Sequence, residues 1–561
     1  MPASKSSNPL DSAVIRRLLG AAGPQSLAGG LILAALGGAA QAVAWPKLNV
    51  WFLTFLGPVF LWRAIYGQKP KRAFLLGWVY GLALGFFSVS WLGGVMSGYG
   101  GLGAIGGTVI LLILVAYLAL YQAIWALFAA PLTVRPPIMD GRIISPALWA
   151  AILWTGLDFL KNTIFTGFNW TPLAGGLAAV PILIGGADLV GIYGLTLWVA
   201  LTAFLAASAT VYFPHPKAAL IKFIVALLLL GAQIGYGKVT FDHYEGERTK
   251  AQIRNIAVLQ PSIPQDRKWN PTFRKEILDR FVWLLKKSAA ENPWLTVWSE
   301  TAAPFLYGWD QVETVWLDRI IDQAGGEGRS MLVGVAAFEY DENGSLKLHN
   351  RAWLTGPDGT LGRYDKTHLV PFGEYVPLAE TLPFLKYPFM QGLLGAAGTY
   401  SPGSGPTRLV IDQIPFGVLI CFESIFPYQA RDKVKLGSEF LVVTTNDSWF
   451  GLTAAPAQHL LHSVIRAVET RRPLVRAANN GMSALIAPSG LILNSSKLND
   501  VDAYLFPMPL PAEPKTTLFV RGGHYLAPSC ALVTACYAFY RFLKHRRSRS
   551  NKASGRSLAK R

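Results

Sequence analysis

The run GVLICFESIFP, Gly417 to Pro427, decides how this chain is read. A short apolar segment with strand texture delivers Cys421, and Phe422 and Glu423 follow at once. The chain has three cysteines, Cys421, Cys530 and Cys536. Taken alone, a thiol at the end of such a run is a small buried apolar residue. Its setting asks for more.

Similar runs surround it: 252–260, 295–300, 330–338, 349–357, 416–422, 439–446, 473–479 and 482–488. Between them, 273–290 and 457–471 carry helical periodicity. Strands alternating with helices imply a layered α/β or α+β domain. At roughly 270 residues, such a domain buries its own core.

The rest of the chain is different material. Hydrophobic residues make up 52% of it and charged residues 15%, which leans towards the membrane class. Of 33 acidic residues, only Asp11, Asp140, Asp158 and Asp188 precede residue 239, and none follows 520. Residues 73–134 contain no Asp, Glu, Lys, Arg or His. A spanning helix takes about 20 apolar residues, so this stretch reads as two spans hinged at Ser97–Gly103. Further candidates lie near 26–45, 48–66, 145–160, 181–207, 218–237 and 522–543. The expectation is a polytopic helical bundle of about eight spans, with Cys530 and Cys536 as buried apolar residues of the last.

Lys and Arg mark the cytoplasmic side of short loops. They cluster at Arg16 and Arg17, at Lys69, Lys71 and Arg72, at Arg135 and Arg142, and at Lys217 and Lys222. Nine more lie in the last 21 residues. Both termini then face the cytoplasm, and the α/β domain faces the periplasm. The net charge of +18 is therefore read as a tail beside anionic lipid, with no nucleic-acid partner. The division expected is a membrane domain at 1–238, a catalytic domain at 239–512, a linker and last span at 513–543, and a basic cytoplasmic tail at 544–561.

Three groups in the α/β domain carry chemistry. Glu300 follows TVWS, Lys366 sits in RYDKTHLVPFGEYVP after a turn, and Cys421 ends its strand. A thiol needs a base or a positive neighbour to become the nucleophilic thiolate. If the three meet, Glu300 can take the thiol proton, and Lys366 can stabilise the thiolate and an oxyanion. His368 suggests a Cys–His pair, and His459 with His462 a metal pair at helical spacing. No acidic or cysteine cluster completes the latter, so two partly buried helix histidines are expected, and no metal or organic cofactor.

WSETAAPF, YDKTHLVPFGEYVPL, ICFES and NDSWFG together resemble the nitrilase superfamily. With TGFNW (166–170), IPQDRKW (263–269) and PAQHLLHSVIRAVETRRPLVRAANNG (456–481), the whole chain looks like its membrane-integrated branch, the bacterial apolipoprotein N-acyltransferase family. The resemblance implies a nitrilase-like αββα sandwich on the helical body. It makes Glu300 the general base, Lys366 the intermediate-stabilising amine and Cys421 the nucleophile. Glu374, Glu423, Phe422, Trp269, Asn446 and Trp449 fall on supporting or substrate-binding positions. Two residues depart from the pattern: Phe422 stands where tyrosine is common, and Asn169 where proline is.

The resemblance implies an inner-membrane acyltransferase. Cys421 takes an acyl chain from a phospholipid such as phosphatidylethanolamine and hands it to the N-terminal amine of a diacylglyceryl-cysteine apolipoprotein. Phe384 and Phe389 are expected in an apolar lid. Two alternatives stand beside this: a membrane-anchored carbon–nitrogen hydrolase, with water as second nucleophile, and a transporter or lipid-binding scaffold with an inert extramembrane domain, for which Asp158 and Asp188 are the only acidic candidates for intramembrane charge.

Overall fold

The computed structural model describes residues 26–133, 145–211, 216–377, 381 and 399–558. Its strands, which lie between Gln252 and Leu510, form a two-sheet sandwich. One sheet contains β1 (Gln252–Gln260), β2 (Leu295–Val297), β3 (Leu306–Tyr307), β4 (Met331–Tyr340), β5 (Leu346–Gly356), β6 (Gly359–Asp365) and β13 (Asp502–Leu510), with β1, β2 and β4 parallel. The other runs β12-β11-β10-β9-β8-β7, from β7 (Arg408–Ile411), β8 (Ile414–Ile420), β9 (Phe440–Thr445), β10 (Leu474–Ala478), β11 (Ala484–Ile486) and β12 (Ile492–Ser495). Its centre, β8-β9-β10, is parallel.

The strand period of two sorts side chains between layers. Val418 and Ile420 of β8 and Val442 of β9 join Val258, Val297 and Leu332 in a core between the sheets. Their neighbours Leu419, Leu441 and Val443 face the other way, onto helix Ala455–Thr470. Met331, Val333 and Val335 of β4 instead meet Ile277, Phe281 and Leu284 of helix Arg274–Ala289. Helix, sheet, sheet, helix is the resulting order. Each fully buried Val, Leu or Ile on these seams contributes about 1.5–3 kcal/mol.

The inner helical layer is shared. Leu460, Leu461, Val464 and Ile465 belong to one continuous apolar cluster with Trp62, Trp154, Phe204 and other residues of the membrane body. Polar ties reinforce that seam. Arg471 pairs with Asp188 at 2.8 Å, and Glu469 accepts the Ile192 amide at 2.8 Å where Gly191 (φ 70°) kinks helix Ala187–Val211. Asp158 pairs with Lys161 at 2.6 Å. The two intramembrane carboxylates offered for transport are therefore occupied in fixed ion pairs.

Among the described residues, five helices are long and apolar enough to span a membrane: Pro70–Val89, Gly103–Thr133, Ala187–Val211, Pro216–Arg248 and Gly523–Lys544. Leu27–Val43, Leu53–Ile65 and Ser145–Lys161 are shorter, so the expectation of about eight spans is not met by length. The 73–134 stretch breaks at the expected hinge and also at Ser90, giving an extra helix, Trp91–Gly98. Gly77 and Gly81 let its first helix close on Gln122, Ala123 and Ala119; a Cβ at Gly77 would meet the Gln122 carbonyl at 2.4 Å. Helix Pro216–Arg248 continues past residue 238, the expected domain boundary. Leu220, Phe223, Leu227 and Leu228 on it are exposed, which suits lipid and not water. Cys530 is buried as expected; Cys536 is exposed, on the outer face of the last helix.

Candidate active site

The reactive groups gather at strand ends. Glu300 lies three residues after β2, and the following Thr301 has φ +40°. Lys366 is the first residue after β6. Cys421 is the first after β8, with φ +51°, and opens the tight turn Cys421–Ile425. A left-handed non-glycine residue costs about 1–3 kcal/mol and lifts the cysteine out of the line of its strand, as nucleophile elbows do.

Hydrogen bonds hold that elbow. Glu423, fully buried, accepts the Ile420 amide at 2.8 Å with one oxygen. Its other oxygen accepts the Thr367 amide at 2.8 Å, the Thr367 hydroxyl at 2.9 Å and the Tyr364 hydroxyl at 2.6 Å. One carboxylate thus ties the cysteine elbow to the lysine loop. On the far side, His459 Nε2 lies 3.1 Å from the Cys421 carbonyl and 2.9 Å from Ser424 Oγ. Asp447 orients that ring at 3.0 Å and is held by Arg476 at 2.7 Å.

The charged centre is compact. Lys366 Nζ stands 3.3 Å from Glu300 and 2.9 Å from Glu374. Asn350 Nδ2 donates to the same two carboxylates at 2.7 and 2.9 Å. The Asn446 amide donates to the second Glu300 oxygen at 2.8 Å. Burial works against charge on Glu300, but Lys366, Lys268, Asn350 and the Asn446 amide outweigh it and hold the carboxyl below its usual range. Burial likewise opposes the Lys366 ammonium, and Glu374 and Glu300 outweigh it, so this lysine stays charged. Burial and then the Glu300 charge push the Cys421 thiol up, against a smaller pull from Lys366. The resting set is a neutral thiol sharing the site with an ionised carboxylate and an ammonium, an arrangement chemically able to generate a thiolate.

These groups line one cavity of about 710 Å³. Its other walls come from the membrane body: Trp91, Val95, Tyr99, Ile110, Ile113, Leu114, Tyr117, Phe165 and Phe168. Ile113 and Phe165 are 60% and 82% exposed, so the cavity reaches the outer surface of the helices there. Trp269, Trp449, Asn446, Glu374 and Phe422 line it too. Phe422 packs on His368 and Phe426, with ring centroids 5.6 and 5.1 Å apart, so its place is held without a hydroxyl. Glu423 is not on the wall; it acts through backbone. Phe384 and Phe389 lie outside the described residues.

Other readings resolve differently. His368 stacks on Phe426 at 4.0 Å, its Nδ1 pairs with Tyr428, and burial pushes it down to about 4. His459 and His462 are fully buried, not partly. Only His459 reaches the site; His462 Nε2 meets the Trp170 carbonyl at 3.0 Å. Asn169 donates to the Ile425 carbonyl just beyond the cysteine turn, a contact that proline cannot make. Asn350, Gln265 and Lys268 are site or site-supporting residues that the motif reading passed over, and His459, weighed there only as half of a metal pair, backs the cysteine turn. The signal was there for Lys268, a charge inside the quoted IPQDRKW.

The class follows from this arrangement: a membrane-embedded enzyme of the carbon–nitrogen hydrolase fold. The carbon-nitrogen hydrolase family matches residues 255–500, and the apolipoprotein N-acyltransferase N-terminal domain matches 37–205. An apolipoprotein N-acyltransferase of Geobacter metallireducens is 36% identical over 475 residues, 83% of this chain and 87% of that protein. One from Brucella melitensis is 31% identical over 505 residues, 86% and 90% of the two. Saccharomyces cerevisiae Nit3, of branch 10 of the nitrilase superfamily, aligns with 47% of this chain and 92% of its own, at 18% identity and a TM-score of 0.34. The chain belongs to the apolipoprotein N-acyltransferase family, and its activity is N-acylation of lipoproteins.

Proposed function

We propose that the acyl donor is a membrane phospholipid and that Cys421 carries the acyl group as a thioester. In the first half-reaction Glu300 takes the thiol proton, and the sulfur attacks the donor's ester carbonyl. Lys366 faces the oxyanion. The C–O bond breaks, and the lysophospholipid alkoxide leaves with the proton held by Glu300. In the second, the α-amine of a diacylglyceryl-cysteine attacks the thioester. The C–S bond breaks, and the amine's proton returns through Glu300 to the sulfur. Glu374 accepts from Lys366, Asn350 donates to both Glu374 and Glu300, and these bonds hold the amine and the base in place; Glu423 holds the two loops together.

The observation that carries this reading is the shared cavity: Glu300, Lys366 and Cys421 open onto the same space as a wall of apolar membrane-body side chains that includes Trp91, Val95, Ile110, Ile113, Leu114 and Phe168. A water-soluble amide would not need that wall; an acyl chain does. Compartment supports it as well. Outside the sandwich, basic residues concentrate in short loops and in the tail; by the positive-inside rule this supports both termini in the cytoplasm and the sandwich in the periplasm at the inner membrane, with the shorter helices Leu27–Val43, Leu53–Ile65 and Ser145–Lys161 crossing as well.

Incubating the full chain with a defined phosphatidylethanolamine and weighing the intact protein tests it. The expected result is a mass gain of one acyl chain on Cys421, released by an apolipoprotein peptide. An unmodified wild type that still acylates the peptide, or acylation retained in Cys421→Ala, refutes the thioester.

A further inference from the structure

Lys268 ends the one-turn helix Gln265–Lys268 and is 2% exposed. Its ammonium donates to the Glu300 carbonyl at 3.1 Å and the Thr301 hydroxyl at 2.7 Å. Neither hydrogen-bond partner is a carboxylate, so this is a buried positive charge set against neutral dipoles, an arrangement that is expensive unless negative charge nearby offsets it. The residue it grips is the proposed base, at the point where Thr301 takes its left-handed turn. The same short helix reaches the site a second time, through Gln265, which accepts from Asn446 Nδ2 at 2.8 Å.

Charge bookkeeping gives it a purpose. Glu300 and Glu374 bring two negative charges to the centre, and Lys366, bonded to both, brings one positive charge. A thiolate formed there adds its charge to that cluster. Lys268 lies near enough to both Glu300 and Cys421 for their charges to act on it, and burial pushes its own ammonium down to about 8. It does not line the cavity, so it touches neither substrate.

We propose that Lys268 is a positioning residue of the acyl-transfer site, fastening the Glu300–Thr301 backbone and supplying the second positive charge that lets Cys421 ionise. This rests on Cys421 being the nucleophile. Lys366 is then the amine that meets the oxyanion, and Lys268 the one that balances the second carboxylate from behind.

The test uses the full chain in phospholipid nanodiscs, with Cys530 and Cys536 replaced by Ala. Two quantities are read: the rate of iodoacetamide alkylation of Cys421 against pH, and acylation of Cys421 by phospholipid. Lys268→Met is expected to move the alkylation profile to higher pH by about one unit or more and to slow acylation roughly 10- to 100-fold. Lys268→Arg, which keeps a charge, is expected to restore both to within about threefold of wild type. A Lys268→Met protein with the wild-type melting temperature and an unmoved profile overturns the proposal, as does slowed acylation with an unmoved profile, which marks mere scaffolding. Should the Met variant not fold, Lys268→Arg decides: a profile displaced as far as one unit upward despite the retained charge refutes it. Failure of the nucleophile reading looks different, since acylation then survives Cys421→Ala whatever stands at 268.

Discussion

Glu423 accepts the Thr367 amide at 2.8 Å across the gap between the cysteine turn and the lysine loop. The contact joins segments 56 residues apart in sequence, and it ties together the segments that carry Lys366 and Cys421, the proposed amine and nucleophile. Replacing Glu423 with Gln removes one charged acceptor from a fully buried cluster. We expect a stability loss of about 1–3 kcal/mol and acyl transfer slowed roughly 10²-fold through misplacement. Thermal unfolding and single-turnover acylation of Cys421 check the pair; unchanged transfer would show that the backbone holds its register unaided.

Glu300→Gln keeps the Asn350 geometry largely intact but removes the proposed base. Acylation of Cys421 is expected to fall about 10²- to 10⁴-fold, the usual worth of a positioned proton acceptor. Measured by intact mass over time, a rate within tenfold of wild type would move the base to another group.

Acid should unfold the sandwich from its polar centre. Glu300 is held below the usual carboxyl range as described, and Asp447 more so, because Arg476 and His459 outweigh the effect of its burial. A depressed folded-state value contributes stability above the unfolded value, near 4, and loses it as pH falls towards the folded one. The melting temperature is therefore expected to decline from about pH 4 downward. Asp447→Asn should be less stable than wild type at neutral pH and decline less steeply. Parallel curves for the two proteins would place the acid sensitivity elsewhere.

The cavity mouth offers a way to separate access from chemistry. Ile113 lines the cavity and is 60% exposed. Ile113→Trp adds bulk there and is expected to slow acylation by phospholipid several-fold while leaving alkylation by a small water-soluble reagent unchanged. Equal effects on both rates would mean that lipid enters by another route.

Asn169→Pro restores the residue common at that motif position and removes a donor to the Ile425 carbonyl. Arg466, 2.8 Å from the same oxygen, remains. A loss of about 1 kcal/mol is expected, read in thermal unfolding, with acylation altered less than in Glu423→Gln.

Much of this was legible along the chain, for local reasons. The β1, β8 and β9 runs alternate side chains between two cores, and their apolar density shows it before any contact is known. Helix Arg274–Ala289 falls within one residue of its periodic stretch. Peripheral segments were harder: β3, β6, β7, β12 and β13 and helix Gln311–Gly326 carry weak patterns, because edge strands and half-exposed helices need few apolar residues. Span lengths were misjudged where a helix stops early or runs on, as Leu53–Ile65 and Pro216–Arg248 do. Hydropathy reports transfer to lipid, not where hydrogen bonding ends.

Residue types and their order determined, unaided, that this is a membrane body joined to an α/β domain bearing a cysteine, a lysine and a glutamate in family motifs. Only the tertiary structure decided that Asn350 bridges two carboxylates, that His459 backs the cysteine turn, and that Lys268 lies beneath Glu300. Those relationships depend on distances of about 3 Å between side chains far apart in sequence. Such distances are set by how two sheets and a helical body pack, and packing leaves no periodic mark on the chain.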